Sequence, residues 1–222
     1  MDLSILEFSK ILLNVNILFF VVCSFLYLNY WKSINKVYKI LTIYLVFVTI
    51  IQVAFRLTFN FSINNWIITN IFLVGQVVFI YKNNIEVLKK NFSIFFLKVV
   101  TLCFFVLFTS TFIMNTNLIF EINEILAFSV TFIFIGFSML YWYENIGNKI
   151  KYFYLVLAGL LYHFGSIFVF IYADIFLKNN TFFALIVYNF HTFLAIIYTI
   201  VVIIEYRVNI LKKSKEVIAD KI

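Results

Sequence analysis

Apolar stretches of about 20 residues follow one another along almost the whole chain, and this pattern limits the fold more than any other feature. They occupy residues 5–30, 38–59, 64–81, 93–114, 119–142, 152–174 and 181–206, with short polar linkers between them. About 20 apolar residues let an α-helix cross the hydrocarbon core of a bilayer, whereas a membrane strand takes only about 10. The pattern therefore predicts an all-α, polytopic bundle of seven transmembrane helices over residues 1–206, followed by a short basic tail, 207–222.

The composition excludes a soluble protein. Hydrophobic residues make up 64% of the 222 residues and charged residues only 12%, with a mean hydropathy of +1.05. A soluble domain carries about 25% charged residues and has too little interior to bury so much apolar surface. No polar block reaches the roughly 100 residues of a typical aqueous domain. We therefore expect a multi-pass protein of the cell inner (cytoplasmic) membrane, with the lipid bilayer as its first partner.

Lysine and arginine are distributed unevenly between the two sides of this predicted bundle. The first, third and fifth linkers and the tail hold thirteen of them, whereas the second and fourth linkers hold none and the sixth holds only Lys178. Because short cytoplasmic loops are enriched in cationic residues, the N-terminus is predicted outside and the C-terminus in the cytoplasm. The net charge of +7 is scattered over four segments, which argues against a nucleic-acid partner.

Polar side chains inside the predicted spans are the candidates for function, because retaining each of them in lipid costs free energy. Arg56 in the second span and Glu124 in the fifth are predicted at similar depth near the outer surface, where an ion pair would satisfy both. Gln52 lies one turn from Arg56 on the same helical face, and Glu121 precedes Glu124. Alternatively, Arg56 snorkels to the outer interface and Glu124 faces water.

Further polar residues lie in the third, sixth and seventh spans, where Tyr188, His191, Ala195 and Tyr198 recur on one helical face. Together the candidates favour a ligand pocket open to the outside. The alternative is that they form only the interhelical hydrogen bonds that hold a bundle together. The predicted pocket residues are Gln52, Arg56, Asn70, Gln76, Glu121, Glu124, Tyr162, His163, Tyr188, Asn189, His191 and Tyr198.

The sequence predicts no cofactor, no metal and no catalytic residue. His163 and His191 are the only histidines; their spacing matches no haem signature, and zinc would need further ligands. Neither H-E-x-x-H nor G-x-S-x-G is present. The seventh span contains no lysine, so it has no amine for a retinal Schiff base.

Three segments of the chain stand out, namely "NNWIITNIFLVGQVVFIYK" (64–82), "FEINEILAFSVTFIFIGFSMLYWY" (120–143) and "KYFYLVLAGLLYHFGSIFVFI" (151–171). They resemble an uncharacterised family of seven-transmembrane proteins of Bacteroidota, often encoded beside sensor histidine kinases or response regulators. The family pattern falls on Asn64, Asn65, Trp66, Asn70, Glu124, Phe153, Tyr162, Gly165 and Tyr198. The chain departs from it with Gln52 and Gln76, where relatives often carry glutamate, and with Tyr154 in place of tryptophan. The resemblance implies a histidine kinase or response-regulator partner, and the lost carboxylates suit a neutral or anionic ligand facing Arg56.

These features favour a non-enzymatic sensory or regulatory subunit that binds a small ligand or lipid and acts through a signalling partner. The tail is too short to be an output domain. The chain has no proline and only five glycines, whereas transporters commonly break helices at such residues in mid-membrane. A small transporter or channel is the first alternative, and a lipid-modifying membrane enzyme is the second.

Overall fold

A computed structural model of the chain describes residues 3–61, 66–114, 124–148, 151–179 and 181–211, and these segments are built of helices and short turns. The helices are α1 (Leu3–Asn29), α2 (Lys36–Asn60), α3 (Trp66–Val87), α4 (Asn91–Met114), α5 (Glu124–Glu144), α6 (Phe153–Asn179) and α7 (Thr181–Tyr206). A π-helical turn, Arg207–Leu211, continues α7. Stretches of α1, α2, α4, α5 and α7 are long and apolar enough to cross a membrane, and Phe153–Ile167 of α6 forms a shorter apolar helix. The predicted all-α fold is confirmed, and its architecture is consistent with a membrane protein.

Large apolar side chains cover the outside of the bundle. Leu18, Ile43, Ile50, Leu102 and Phe132 are each at least 60% exposed, although they lie well inside their helices. An apolar surface of this kind would promote association in water. Lipid chains are as apolar as these side chains and leave them in a compatible environment.

Six helices form a closed ring in the order α1, α2, α3, α5, α6, α7, and α7 packs against α1 to close it. Among the described residues, α4 lies outside this ring and packs only against α3 and α5. Consecutive helices run antiparallel, as short connections require. For example, Lys36 at the start of α2 forms a salt bridge of 2.7 Å with Glu86 near the end of α3. The ring therefore has an interior to which six helices contribute.

The loops after α1, α3 and α5 and the end of α7 lie together at one end of the bundle, which we call the basic end because of its lysines. Asn35 caps α2 there, since its Oδ1 accepts the backbone N–H of Tyr38 at 3.1 Å. Its Nδ2 also donates to the Tyr152 hydroxyl at 3.2 Å, which ties α2 to the loop before α6. The Glu144 carboxylate accepts the backbone N–H of Lys89 at 2.7 Å, just ahead of α4. This end is therefore held by contacts between its loops.

Helix α3 extends beyond the apolar run that predicts it. The predicted span ends at residue 81, but the helix continues to Val87. Asn84 donates to the carbonyl of Ile80 at 2.8 Å within the helix, and Glu86 pairs with Lys36 of α2. Hydropathy indicates where a helix leaves an apolar environment, and local hydrogen bonds and ion pairs decide where the helix itself ends.

Each of the two triplets of helices on either side of α4 carries a pair of tyrosines that contact each other, although the kind of contact differs. In α1–α3, the rings of Tyr27 and Tyr38 are 6.1 Å apart between centroids. In α5–α7, the Tyr141 hydroxyl accepts the backbone N–H of Tyr152 at 3.3 Å, and the two members of each pair are 11 residues apart. Tyr38 and Tyr152 then meet edge to face, with centroids 5.4 Å apart. The Tyr38 and Tyr152 rings thus join the two triplets at the basic end.

Candidate functional site

A small cavity lies at the centre of the ring. Its volume is about 20 Å³, and residues from all six ring helices line it. Four of the residues proposed from sequence are among them, namely Gln52, Tyr162, His163 and Tyr198. A cavity of this size holds about one water molecule, whereas pockets for organic ligands usually enclose roughly 300–1,000 Å³. A larger ligand would therefore require the ring helices to move apart.

A hydrogen bond beside the cavity joins α6 to α7. The Tyr162 hydroxyl lies 3.0 Å from Nε2 of His191, and its ring lies 5.8 Å from that of Tyr198 between centroids. His163, the next residue on α6, stacks on Phe134 of α5 with ring centroids 4.2 Å apart. These contacts fix two of the predicted site residues of α6, Tyr162 and His163, against α7 and α5 respectively.

Arg56 lies away from the central cavity, toward the end of the bundle opposite the basic end. Its charge acts on the nearby hydroxyl of Tyr188 on α7, and its Nη1 is buried with no hydrogen-bond partner among the described residues. Leaving a buried guanidinium nitrogen unsatisfied is costly. Glu121 and the side chain of Glu124, its predicted partners, lie outside the described residues. The predicted ion pair therefore stays a prediction.

The remaining candidates do not line the central cavity. Asn70 and Gln76 of α3 are both buried, and Gln76 lies beside the Tyr44 hydroxyl. Tyr188 is 42% exposed, and Asn189 is half-buried with its Oδ1 lacking a hydrogen-bond partner in the described part of the chain. Across the described ranges, no three His, Cys, Asp or Glu side chains are grouped so that they could hold a metal ion.

Sequence reasoning missed Glu205, a carboxyl group that is fully buried at the basic end of α7. Its Oε1 accepts a hydrogen bond of 2.5 Å from the hydroxyl of Tyr38 on α2. The Tyr27 hydroxyl of α1 donates to the carbonyl of Val202, one turn earlier on α7, at 3.0 Å. Glu205 therefore belongs to a set of contacts that joins α1, α2 and α7.

One face of α7 connects the central cavity with this carboxyl group. From His191 the face continues through Ala195, Tyr198 and Val202 to Glu205 in alternating steps of four and three residues. Ala195 and Tyr198 line the cavity, and all these side chains after His191 are buried. Following the predicted stripe past Tyr198 to the end of the helix would have found Glu205 from sequence.

A second cavity, also of about 20 Å³, lies between the central cavity and the basic end. Phe79, Phe134 and Tyr198 line both cavities, so these three rings separate them. Besides Tyr198, the polar side chains that line the second cavity are Asn83, Asn84, Ser138 and Tyr152. Two small cavities therefore follow each other along the interior of the ring.

No protein-family model, curated protein or solved structure matches the chain. The resemblance to the Bacteroidota family consequently rests on sequence motifs alone. The features of the molecule that bear on function are the two cavities, the inward face of α7 from His191 to Glu205, and the contacts at the basic end.

Proposed function

We propose that the chain is a non-enzymatic sensory or regulatory membrane protein, in which a small ligand acts at the centre of the ring and a separate protein reads the response. The observation that carries this proposal is the inward face of α7. It contains His191, which is bonded to α6, Tyr198 at the cavity and Glu205, which is bonded to α2. A single helix thereby connects the cavity with the basic end.

The size of the cavity suggests how a ligand would produce a signal. Because about 20 Å³ accommodates only water, a ligand of more than a few atoms has to push α6 and α7 away from the other helices. A ligand shifts the equilibrium between the closed and the opened arrangement of the helices by the difference in its binding free energy for the two. The helix rises about 1.5 Å per residue, so Glu205 lies only about 10 Å beyond Tyr198 along α7. Movement at the cavity would therefore alter the Glu205–Tyr38 contact.

The proposal includes a topology and a partner. We place the chain in the cytoplasmic membrane with seven crossings, its N-terminus outside and its basic end in the cytoplasm, as the lysine distribution predicts. Arg56 then lies near the outer surface, where it suits a neutral or anionic ligand on its way to the ring. A histidine kinase or response regulator, implied by the family resemblance, would bind at the basic end.

Forcing the cavity open tests whether a change at the cavity alters the structure of the basic end. Ala195 lines the cavity and is 4% exposed, so Ala195→Phe inserts a ring between α7 and its neighbours. Ile200→Phe is the matched control, because Ile200 is 40% exposed on the same helix. Spin labels at Lys32 and Val208, in nanodiscs, report the distance across the basic end. We expect Ala195→Phe to shift this distance and Ile200→Phe to leave it unchanged; equal behaviour of the two variants would contradict the proposal.

A small transporter or channel is the second candidate. The two cavities between the triplets α1–α3 and α5–α7 favour it, because many transporters bind their substrate between two groups of helices. It stands second because the described helices are continuous, without the breaks that usually expose backbone carbonyls to an ion or substrate. Solute flux into proteoliposomes above the protein-free background, lost in Tyr198→Trp, would favour the transporter over the sensor.

A further inference from the structure

Glu205 is a fully buried carboxyl group with only one of its oxygens satisfied. Oε1 accepts the 2.5 Å hydrogen bond from Tyr38, whereas Oε2 is buried with no hydrogen-bond partner among the described residues. The side chain of Asn209 and the backbone of Tyr154 approach the carboxyl group without forming a well-aligned hydrogen bond to Oε2. Buried polar atoms are rarely left in this state, so each one calls for an explanation.

The surroundings of Glu205 contain hydroxyl groups rather than cations. A salt bridge at the basic end joins Lys36 to Glu86, and the described part of the chain contains none to Glu205. The titratable side chains that face it are Tyr27 of α1, Tyr38 of α2, Tyr141 of α5 and Tyr152 before α6. Tyrosine hydroxyls are uncharged near neutral pH, so none of these neighbours supplies a positive charge. An ionised carboxylate would be buried without a compensating charge from the described residues, which is costly.

We propose that Glu205 is a proton-binding site, with the proton held on Oε2. As a neutral acid, Glu205 accepts the Tyr38 hydrogen bond at its carbonyl oxygen Oε1 and carries the hydrogen at the oxygen that accepts none. With this assignment, the closed bundle contains no buried negative charge at Glu205, which agrees with the lack of a salt bridge to it among the described residues.

Release of the proton follows from separation of α2 and α7 at the basic end. When water reaches Glu205, the O–H bond at Oε2 breaks, the proton passes to water, and the bonding electron pair remains on the carboxylate. Hydration then stabilises the charge that the closed bundle cannot. The closed Tyr38–Glu205 contact is therefore linked to the bound proton, and this linkage requires no ligand in the central cavity.

Infrared spectroscopy of the full chain in nanodiscs tests the site directly. Glu205→Gln keeps the shape and an oxygen acceptor for Tyr38 but cannot bind the proton. We expect a carbonyl stretching band of a protonated carboxylic acid in the unaltered protein at neutral pH and its loss in Glu205→Gln. Glu144→Gln is the control, because Glu144 is half-buried and bonded to the N–H groups ahead of α4. It should leave the band in place.

Tyr38→Phe gives a second readout that retains the carboxyl group. Loss of the hydrogen bond to Oε1 should move the band to higher frequency without removing it. A band that survives in Glu205→Gln, or one that Tyr38→Phe leaves unmoved, would overturn the assignment. If Glu205→Gln does not fold, the Tyr38→Phe shift alone decides between the two outcomes.

Discussion

The Tyr162 hydroxyl and Nε2 of His191, 3.0 Å apart, join α6 to α7 beside the central cavity. Interhelical hydrogen bonds in membranes contribute about 0.6 kcal/mol on average and up to about 1.7 kcal/mol. We expect Tyr162→Phe to lower the free energy of unfolding by an amount in this range. In a double-mutant cycle with His191→Phe, the two losses should add to more than the loss in the double variant. Tyr143→Phe, at a side chain that is 64% exposed, is the control and should have almost no effect.

Gly159 is the position where one added methyl group should disturb the cavity. A Cβ at Gly159 would overlap the ring of Phe134, which lines both cavities and stacks on His163. We expect Gly159→Ala to destabilise the protein by about 1–3 kcal/mol, the usual cost of overpacking. Gly136→Ala is the matched control, because a Cβ there meets nothing within 4 Å. It should be neutral or stabilising by up to about 1 kcal/mol, since alanine is the better helix former. Equal thermal stability of the two variants would show that the Phe134 ring can move aside for the added methyl group at no cost in stability.

Two double-mutant cycles identify the partner of Arg56. If the ion pair predicted from sequence forms, Arg56→Ala and Glu124→Ala should each destabilise the bundle, and the double variant should lose less than their sum. If Arg56 interacts with the nearby Tyr188 instead of Glu124, the coupling energy should appear between Arg56→Ala and Tyr188→Phe. Chemical unfolding in detergent micelles measures both cycles. Additive losses in both would mean that Arg56 reaches neither group and snorkels to the interface.

Cysteine accessibility tests the proposed orientation. Cys103 is exposed and is replaced by serine, while Cys23 is buried and stays. Single cysteines are then introduced at Phe61, which is 71% exposed, and at Asn148 in the exposed loop of the basic end. A membrane-impermeant maleimide should label position 61 in intact cells and position 148 only after lysis. The opposite pattern would reverse the assignment made from the lysines.

The helices of the fold could be predicted from sequence, because each helix depends on the hydropathy of its own consecutive residues. Runs of about 20 apolar residues predict helices, and all seven helices overlap the predicted spans. The order in which the helices pack could not be predicted from sequence, because α4 is as apolar as the ring helices. Nothing in the sequence of α4 indicates that it lies outside the ring. Contacts between distant segments, such as Tyr38 with Glu205, depend on that order. Single-sequence reasoning therefore gives the elements but not their neighbours.

The candidate site was predicted in part. Tyr162, His163 and Tyr198 were proposed from their depth, and they do line one cavity. Tyr188 lies on the same predicted face but is 42% exposed, whereas the side chains of this face are buried from Ala195 onward. Glu205 was missed because it lies at the end of the predicted span, where an ionisable residue is ordinarily expected to face water or headgroups. Only the structure reveals that α1 and α2 cover it.

The peripheral position of α4 has a consequence for how such a chain can be assembled. Three consecutive antiparallel helices leave the polypeptide at the end opposite to where it started, so a directly joined second triplet would be upside down. One additional crossing returns the chain to its starting side, which lets α5 run in the same direction as α1. The additional helix α4 therefore allows α1–α3 and α5–α7 to lie in the ring with the same order of directions.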